Sequence, residues 1–245
     1  MKSKTATRDE RRRPTGRRAA LAFAALFIAL TMLLSGAARC APAAPDSTSL
    51  DVRAFKLLNR DTVNPVFDAV MPWATDFNRW RVVVILIWCA LVVFGKTKGR
   101  WAALVLIPVI AASDQLSSHL MKPLVGHLRP CDVLGNVHLW HGSEGWITTP
   151  AEVARSYKSS FSFPSSHAAN ITASMLFLGL VYRRWLVPFL AVALVVSFSR
   201  IYVGVHWPSD VLVGIALGAA LTAAAYAVFT RLYHTPPLGD SDRSE

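Results

Sequence analysis

Long apolar runs limit this 245-residue chain to a fold that lies in a membrane. A helix needs about 20 apolar residues to cross the roughly 30 Å of hydrocarbon in a bilayer. Backbone groups in that layer must be satisfied within the helix, which excludes an open sheet. Six runs approach this length, at residues 19–36, 82–95, 101–120, 168–182, 186–198 and 211–233. We therefore predict an all-α, polytopic membrane protein with six transmembrane helices.

The first run has two interpretations. Its basic start, its apolar middle and the small residues that follow it also fit a secretory signal. We favour a retained helix, because removal would leave only five spans, and residues 1–18 then form a basic cytoplasmic arm. Residues 37–80 mix charged and apolar side chains and are broken by Pro65 and Pro72. We expect this segment to lie along the exterior membrane interface before helix two.

The net charge of +11 has a membrane explanation. Eight of the 26 Lys and Arg residues lie in the first 18 positions, directly before an apolar run, where they can face anionic lipid. No basic stripe interleaved with aromatic residues appears elsewhere, which argues against a nucleic-acid partner. Residues 234–245 are polar, contain two prolines and are predicted to form a disordered tail.

Basic residues in the short loops predict the orientation. One set follows the second run and another separates the fourth run from the fifth: Lys96, Lys98 and Arg100, then Arg183 and Arg184. With six crossings these loops share a side with the N-terminal arm, and the positive-inside rule makes that side cytoplasmic. The ends of runs three and five and the starts of runs four and six then meet at the exterior face.

Three polar clusters lie at those exterior ends. They are Lys122 and Arg129 in KPLVGHLRP, Ser165, Ser166 and His167 in FPSSHAAN, and Arg200, His206 and Asp210 in SRIYVGVHWPSD. Three converging cations select an anion, and the planar fork of arginine matches phosphate oxygens. In PSSH the proline suits a first helical turn and the serines suit caps, and free N–H groups at a helix start also bind anions.

The two histidines suggest separate chemical roles. Asp210 lies about one helical turn after His206, so its carboxylate can accept the Nδ1 proton and leave Nε2 facing a substrate. An imidazole held in this way is an oriented nucleophile. His167 lies on another helix and can protonate a departing oxygen. Magnesium sites usually contain more carboxylates, so we predict phosphoryl transfer without a metal or another cofactor.

Together K-x6-RP, PSSH and SR-x5-H-x3-D, in this order and at helix ends, resemble the three signature motifs of the type 2 phosphatidic acid phosphatase superfamily. That superfamily includes vanadium haloperoxidases and bacterial undecaprenyl-pyrophosphate phosphatases, and the resemblance covers roughly residues 50–232. It implies that His206 forms a phosphohistidine, that Asp210 orients it, and that His167 protonates the leaving group and then activates water. The phosphate oxygens would be held by Lys122, Arg129, Ser165, Ser166 and Arg200.

One residue departs from the family pattern. The family usually has glycine where this chain has Ser166. A serine still offers its backbone N–H to phosphate, provided that the backbone there does not need a positive φ angle.

The resemblance implies an integral membrane phosphatase of the bacterial inner membrane, with residues 81–233 as its catalytic core and its active site on the extracytoplasmic side. It would hydrolyse the terminal phosphate of a lipid phosphate or pyrophosphate. Undecaprenyl pyrophosphate is the first expected substrate, followed by phosphatidylglycerophosphate, phosphatidate and lipid A 1-phosphate. A lipid phosphotransferase, a vanadate-dependent haloperoxidase and a non-enzymatic anion-binding membrane protein are the alternatives.

Several other residues keep more than one interpretation. Asp114 either supports Lys122, two turns away on the same helix face, or makes a purely structural hydrogen bond. Gly214 and Gly218 allow close helix packing, either within the chain or between copies, although no feature indicates an oligomer. A bond between Cys40 and Cys131 is left open. Four further histidines have no evident partner and are assigned to surfaces or loops: His119, His127, His138 and His141.

Overall fold

The computed structural model describes residues 48–152 and 156–234. The basic arm, the first apolar run, Cys40 and the predicted tail from residue 235 onwards lie outside the described residues. The principal helices are α1 Leu50–Lys56, α2 Pro65–Thr75, α3 Phe77–Phe94, α4 Lys96–Asp114, α5 Lys122–Val125, α6 Pro130–Val133, α7 Ser166–Val181, α8 Leu186–Tyr202 and α9 Pro208–His234. The second to sixth predicted runs therefore coincide with α3, α4, α7, α8 and α9.

Within residues 48–152 and 156–234, four segments are long and apolar enough to cross a membrane. They are Phe77–Phe94, Lys96–Val133, Arg183–Tyr202 and Pro208–Tyr233. Helix α7, Ser166–Val181, is apolar but shorter. It packs in the middle of the bundle, where Ala173 and Phe177 are fully buried. A chain that is mostly helical and has several candidate spans agrees with the predicted fold class.

Helices α4 and α5 are joined by a π-helical segment, Gln115–Met121. This segment changes the helical register between Asp114 and Lys122. Ser118 nevertheless donates a hydrogen bond to the Asp114 carboxylate at 3.3 Å, so these two polar side chains do share a face. The helix then ends at Gly126, whose φ of 65° is the left-handed conformation that glycine adopts most easily.

Helices α7 and α9 approach each other closely through two glycines. A Cβ atom on Gly214 would lie 2.6 Å from the Ser165 carbonyl oxygen, and one on Gly218 would lie 2.5 Å from the Ala169 carbonyl oxygen. Any side chain at either position would push the helices apart. The GxxxG pair therefore serves packing within the chain, one of the two uses left open by the sequence.

The prediction of an all-α fold was incomplete. Strands β1 His138–Trp140 and β2 Trp146–Thr148 form an antiparallel hairpin with Leu139 opposite Ile147. Two three-residue strands joined by residues 141–145 were too short a pattern to recognise among loop residues. The hairpin lies between α6 and α7, and its Leu139 is fully buried.

Two details of the predicted boundaries were also wrong. Pro72 lies inside α2 and does not break the segment, whereas Pro65 begins α2 after the break at residues 62–64. Lys96, Lys98 and Arg100 lie in helix α4, because only Gly95 separates α3 from α4. Apolar runs mark the lipid-facing part of a helix and do not show how far its polar ends continue.

A hydrogen-bond network joins the segment before α3 to the rest of the fold. The amide of Asn59 is fully buried and donates to the carbonyl oxygens of His138 and Tyr202, both at 2.8 Å. Asp68 accepts hydrogen bonds from the Tyr202 hydroxyl at 2.7 Å and from His138 Nε2 at 2.9 Å. The segment Leu57–Asp61 and helix α2 are thus fixed to the hairpin and to the end of α8, and His138 has the partner that sequence reasoning missed.

Candidate active site

The predicted site residues come from segments that meet at one end of the bundle. The Ser165 N–H donates to the Asp210 carbonyl oxygen at 3.0 Å, which joins the starts of α7 and α9. The Ser118 and Ser166 hydroxyls lie 2.9 Å apart and join the α4–α5 segment to α7. Arg129 donates to the Val205 carbonyl oxygen at 2.8 Å. These contacts bring all three polar clusters of the sequence to the same end.

The start of α9 is held by two carboxylates. Pro208 occupies the first helical position, and Asp210 accepts the Trp207 N–H at 2.8 Å. A side chain at the third helical position that reaches back to the residue before the helix is one half of a capping box. Asp51 of α1 accepts hydrogen bonds from the N–H and hydroxyl of Ser209 at 2.9 and 2.6 Å. The turn that carries His206 is therefore fixed on both sides.

The His206 ring has a defined orientation. Its Nε2 atom lies 3.3 Å from Arg129 Nη1, and an arginine can only donate, so Nε2 is the accepting nitrogen. Its Nδ1 atom lies 3.5 Å from Asp210 Oδ2 and 3.4 Å from the Ser162 hydroxyl. Nδ1 therefore carries the proton, and the lone pair of Nε2 points toward the arginine.

The sequence predicted a direct hydrogen bond between His206 and Asp210. Ser162 also takes part in this contact. Its hydroxyl donates to Asp210 Oδ2, and its oxygen faces His206 Nδ1. The contacts of Nδ1 with Asp210 at 3.5 Å and with Ser162 at 3.4 Å are both longer than an ordinary hydrogen bond, so the aspartate and the serine share the Nδ1 proton. No pattern in FSFPSSH distinguishes Ser162 from a loop serine, because its partner lies 48 positions away.

His206 is neutral in this setting. Only 2% of its surface is exposed, and burial lowers the pKa of its imidazole to about 3. The positive charge of Arg129 acts in the same direction, while the Asp210 carboxylate opposes it. A neutral imidazole whose Nε2 carries no proton is the form that can attack an electrophile.

Arg129 is held by backbone and side-chain oxygens. Its Nε donates to the Ser160 carbonyl at 2.8 Å, and its Nη2 donates to the Ser160 hydroxyl at 3.0 Å and the Phe161 carbonyl at 3.2 Å. Only 6% of the residue is exposed. A guanidinium held this firmly beside His206 is a fixed positive charge for an anion.

Arg200 retains capacity for an additional partner. Its Nη1 donates to the Thr75 hydroxyl at the end of α2, while its buried Nε has no hydrogen-bond partner among the described residues. Lys122 lies close enough to Arg129 and Arg200 for their charges to act on it. The three positive charges thus lie within electrostatic range of one another, where they repel unless an anion lies among them.

The PSSH segment opens α7 as predicted, with Ser165 as its cap and Pro164 before the cap rather than in the first turn. The Ser165 hydroxyl accepts the Ala168 N–H at 3.4 Å. Ser166 is the first helical residue and is not among the described residues with positive φ, which are Lys96 and Asn136 apart from glycines. Ser166 therefore does not need a positive φ angle, which is the condition for a serine to stand where the family usually has glycine. His167 is exposed and lies within electrostatic range of Arg200 and Lys122.

Two further residues near the site were not selected from the sequence. His127 lies in a loop, as predicted, but its Nδ1 lies 3.1 Å from Asp210 Oδ1, a partner that sequence reasoning missed. Asp114 contacts Ser118 and lies 3.5 Å from the Asn170 amide. Ser118 in turn contacts Ser166, so Asp114 is connected to the start of α7.

The described part of the chain contains two free cysteines and no group of potential metal ligands. Cys89 is exposed and Cys131 is buried, and both are free thiols there. Among residues 48–152 and 156–234, no three His, Cys, Asp or Glu side chains are grouped as metal ligands. Phosphate release in the presence of EDTA tests the prediction that the reaction needs no metal.

The fold and site together define a helical protein with candidate membrane spans, in which one end of the bundle gathers three cations around a buried histidine and aspartate. The family model of the PAP2 superfamily matches residues 102–233, which are more than half of the chain. The chain belongs to the PAP2 superfamily, as its three motifs indicated.

Individual relatives agree with this assignment. An undecaprenyl-diphosphatase of Sulfolobus acidocaldarius is 28% identical over 170 residues, which cover 69% of this chain and 73% of that protein. A lipid A 4'-phosphatase of Bacteroides thetaiotaomicron is 33% identical over 115 residues, which cover 44% of this chain and only 45% of that protein. The crystal structure of a PAP2-type phosphatidylglycerolphosphate phosphatase from Bacillus subtilis superimposes with a TM-score of 0.59 at 20% identity and covers 89% of this chain and 98% of that one. This last similarity concerns the fold.

Proposed function

We propose that this protein is a membrane phosphatase that removes the terminal phosphate of a lipid phosphate or pyrophosphate through a phosphohistidine at His206. One observation carries the proposal. His206 presents Nε2 to the Arg129 guanidinium at 3.3 Å, while Nδ1 faces Ser162 and Asp210. A nucleophilic nitrogen next to a fixed cation is the arrangement that phosphoryl transfer to histidine requires.

The proposed reaction has two steps. First, His206 Nε2 forms a bond to phosphorus, the bond from phosphorus to the leaving oxygen breaks, and His167 gives that oxygen a proton. The imidazole becomes positively charged, and the Asp210 carboxylate offsets this charge through Nδ1. Second, His167 removes a proton from water, the water oxygen attacks phosphorus, and the N–P bond breaks to release inorganic phosphate. Lys122, Arg129 and Arg200 neutralise the phosphate oxygens in both steps.

We also propose the membrane arrangement predicted above: six spans including residues 19–36, an interfacial segment over residues 37–80, and a site on the extracytoplasmic face of a bacterial inner membrane. A contact between the basic start of α4 and the basic link between α7 and α8 supports it. Lys98 lies over the Tyr182 ring at 5.2 Å, next to Arg183 and Arg184, at the end of the bundle opposite the Ser166 and Asp210 contacts. Basic residues at the end away from the site agree with the positive-inside rule.

Undecaprenyl pyrophosphate is the proposed substrate, supported by the similarity to an undecaprenyl-diphosphatase over most of both chains. Lipid A 1-phosphate and phosphatidylglycerophosphate are the alternative substrates. The similarity to a lipid A 4'-phosphatase supports lipid A as the lipid of the first of them. A lipid phosphotransferase would pass the same phosphoryl group to an acceptor other than water. Free phosphate as the main product distinguishes the hydrolase from the transferase.

The test measures phosphate release by the purified full-length protein from undecaprenyl pyrophosphate, phosphatidylglycerophosphate, phosphatidate and lipid A 1-phosphate. We expect the wild type to release phosphate in the presence of EDTA, vanadate to inhibit it, and His206→Ala to reduce release to background. The matched control is His141→Ala, since His141 lies 3.3 Å from Glu144 in the hairpin and contacts none of the proposed site residues. Loss of activity on addition of EDTA, or full activity of His206→Ala, would contradict the proposal.

A further inference from the structure

A second histidine contacts the carboxylate that supports His206. His127 lies in the short link between Gly126 and Arg129, and its Nδ1 is 3.1 Å from Asp210 Oδ1. Its ring stacks on the Trp207 indole, with centroids 5.8 Å apart and planes 24° apart, and its edge faces Phe163. Ring stacking and the hydrogen bond together fix this imidazole against the start of α9.

The two oxygens of Asp210 have separate partners. Oδ2 receives the Ser162 hydroxyl and the Trp207 N–H and faces His206 Nδ1. Oδ1 has His127 as its side-chain partner among the described residues. Asp210 is fully buried, so without His127 half of a buried carboxylate would lose its hydrogen bond.

Core packing alone does not explain the position of His127. Its side chain is 38% exposed, whereas Asp210 is 0% exposed. A ring that filled space would be enclosed, and any apolar residue would then serve. The position of Nδ1 indicates that the hydrogen bond to Asp210 is the feature that matters.

We infer that His127 is a positioning residue, which fixes Oδ1 of Asp210 so that Oδ2 remains directed at Ser162 and His206. This inference rests on the proposed function, because it matters when His206 becomes cationic on bonding to phosphorus. A carboxylate held at both oxygens cannot rotate away from Nδ1 as that charge develops. His127 thus acts on the reaction through Asp210 and contacts no reacting atom.

Two substitutions separate the hydrogen bond from the ring. His127→Ala removes the donor, whereas His127→Asn keeps an N–H donor near the position of Nδ1. For His127→Ala we expect kcat to fall roughly 10- to 100-fold, the effect of losing one hydrogen bond to a buried charge, with KM changed less than about 3-fold. His127→Asn should restore most of kcat, and His141→Ala should match the wild type in both constants.

Vanadate binding provides a readout that needs no turnover, since vanadate can take five ligands and imitate the transferring phosphoryl group. Calorimetry on the same purified proteins should show weaker vanadate binding by His127→Ala and near wild-type binding by His127→Asn. If the wild type binds vanadate but releases no phosphate from the lipids, the proposed function is contradicted. The comparison of vanadate binding among the wild type, His127→Ala and His127→Asn still tests the inference about His127. Wild-type kcat in His127→Ala, or equal losses in the Ala and Asn variants, would overturn the inference.

Discussion

At the scale of single residues, the site depends on how the two oxygens of the Asp210 carboxylate are divided among its hydrogen-bond donors. Asp210 is completely buried and accepts hydrogen bonds from Ser162, Trp207 and His127. These donors stabilise the charge that Asp210 needs if it is to support His206. The pattern H-x3-D identified the pair, but the distance of 3.5 Å between them assigns part of the contact to Ser162.

Removing the Ser162 hydroxyl should therefore reduce catalysis. For Ser162→Ala we expect a loss of about 1–2 kcal/mol of transition-state stabilisation, which is roughly a 5- to 30-fold lower kcat. Ser117→Ala is the matched control, because Ser117 is also fully buried but bonds only to backbone carbonyls of its own helix. Steady-state kinetics on the same lipid phosphate measures both variants. Equal kcat values for Ser162→Ala and the wild type would show that Asp210 supports His206 without the serine.

The low pKa of His206 has a direct spectroscopic consequence. Burial and Arg129 lower this pKa from 6.5 to about 3, so the neutral, nucleophilic form persists as the pH falls well below 6.5. Nitrogen NMR of histidine-labelled protein, assigned by subtraction of the His206→Ala spectrum, should show a neutral His206 ring from about pH 7 down to about pH 5. A titration midpoint near 6.5 would mean that the ring is not buried beside a cation.

At the scale of helices and strands, the sequence predicted the parts that apolar patterning controls. Runs such as 168–182 and 211–233 gave α7 and α9 to within a few residues, because lipid requires a continuous apolar surface. The π-helical segment Gln115–Met121 and the hairpin could not be predicted in this way. The hairpin forms because Asn59 and Tyr202, distant in sequence, hold its first strand.

Close contact between α7 and α9 sets the spacing of Ser165 and Asp210. We expect Gly214→Val to separate the helices, since even a Cβ atom would lie 2.6 Å from the Ser165 carbonyl. Overpacking of this kind costs about 1–3 kcal/mol and should lower the thermal midpoint and kcat together. Ala223→Val enlarges an exposed position of the same helix and should change neither. Thermal unfolding in detergent and phosphate release test both variants, and a fully active, equally stable Gly214→Val protein would contradict the packing argument.

At the scale of the whole molecule, the polar residues separate to the two ends of the bundle. Lys98 meets Tyr182 at one end, and Ser165 meets Asp210 at the other. The sequence predicted this division from loop charges and from the order of the spans. It did not predict that α2 would reach the site, where Thr75 accepts a hydrogen bond from Arg200, because that contact joins residues 125 positions apart.

Cysteine labelling in cells tests the proposed orientation. In a full-length protein whose three native cysteines are replaced by serine, Thr97→Cys and Ser159→Cys place one exposed thiol at each end. A membrane-impermeant maleimide should label Ser159→Cys in cells whose inner membrane is intact, and Thr97→Cys only after that membrane is permeabilised. The positive-inside rule gives the physical reason. Labelling of both thiols from the same side would contradict the arrangement.

The most direct test of the account is the identity of the phosphorylated residue. Wild-type protein is mixed with a lipid phosphate labelled in its terminal phosphoryl group, quenched within one turnover in alkali, where phosphohistidine survives, and mapped by mass spectrometry. We expect phosphate on His206 in the wild type, its absence in His206→Ala, and slower formation of it in His167→Ala, which lacks the proposed proton donor. Phosphate on a different residue, or continued turnover by His206→Ala, would contradict it.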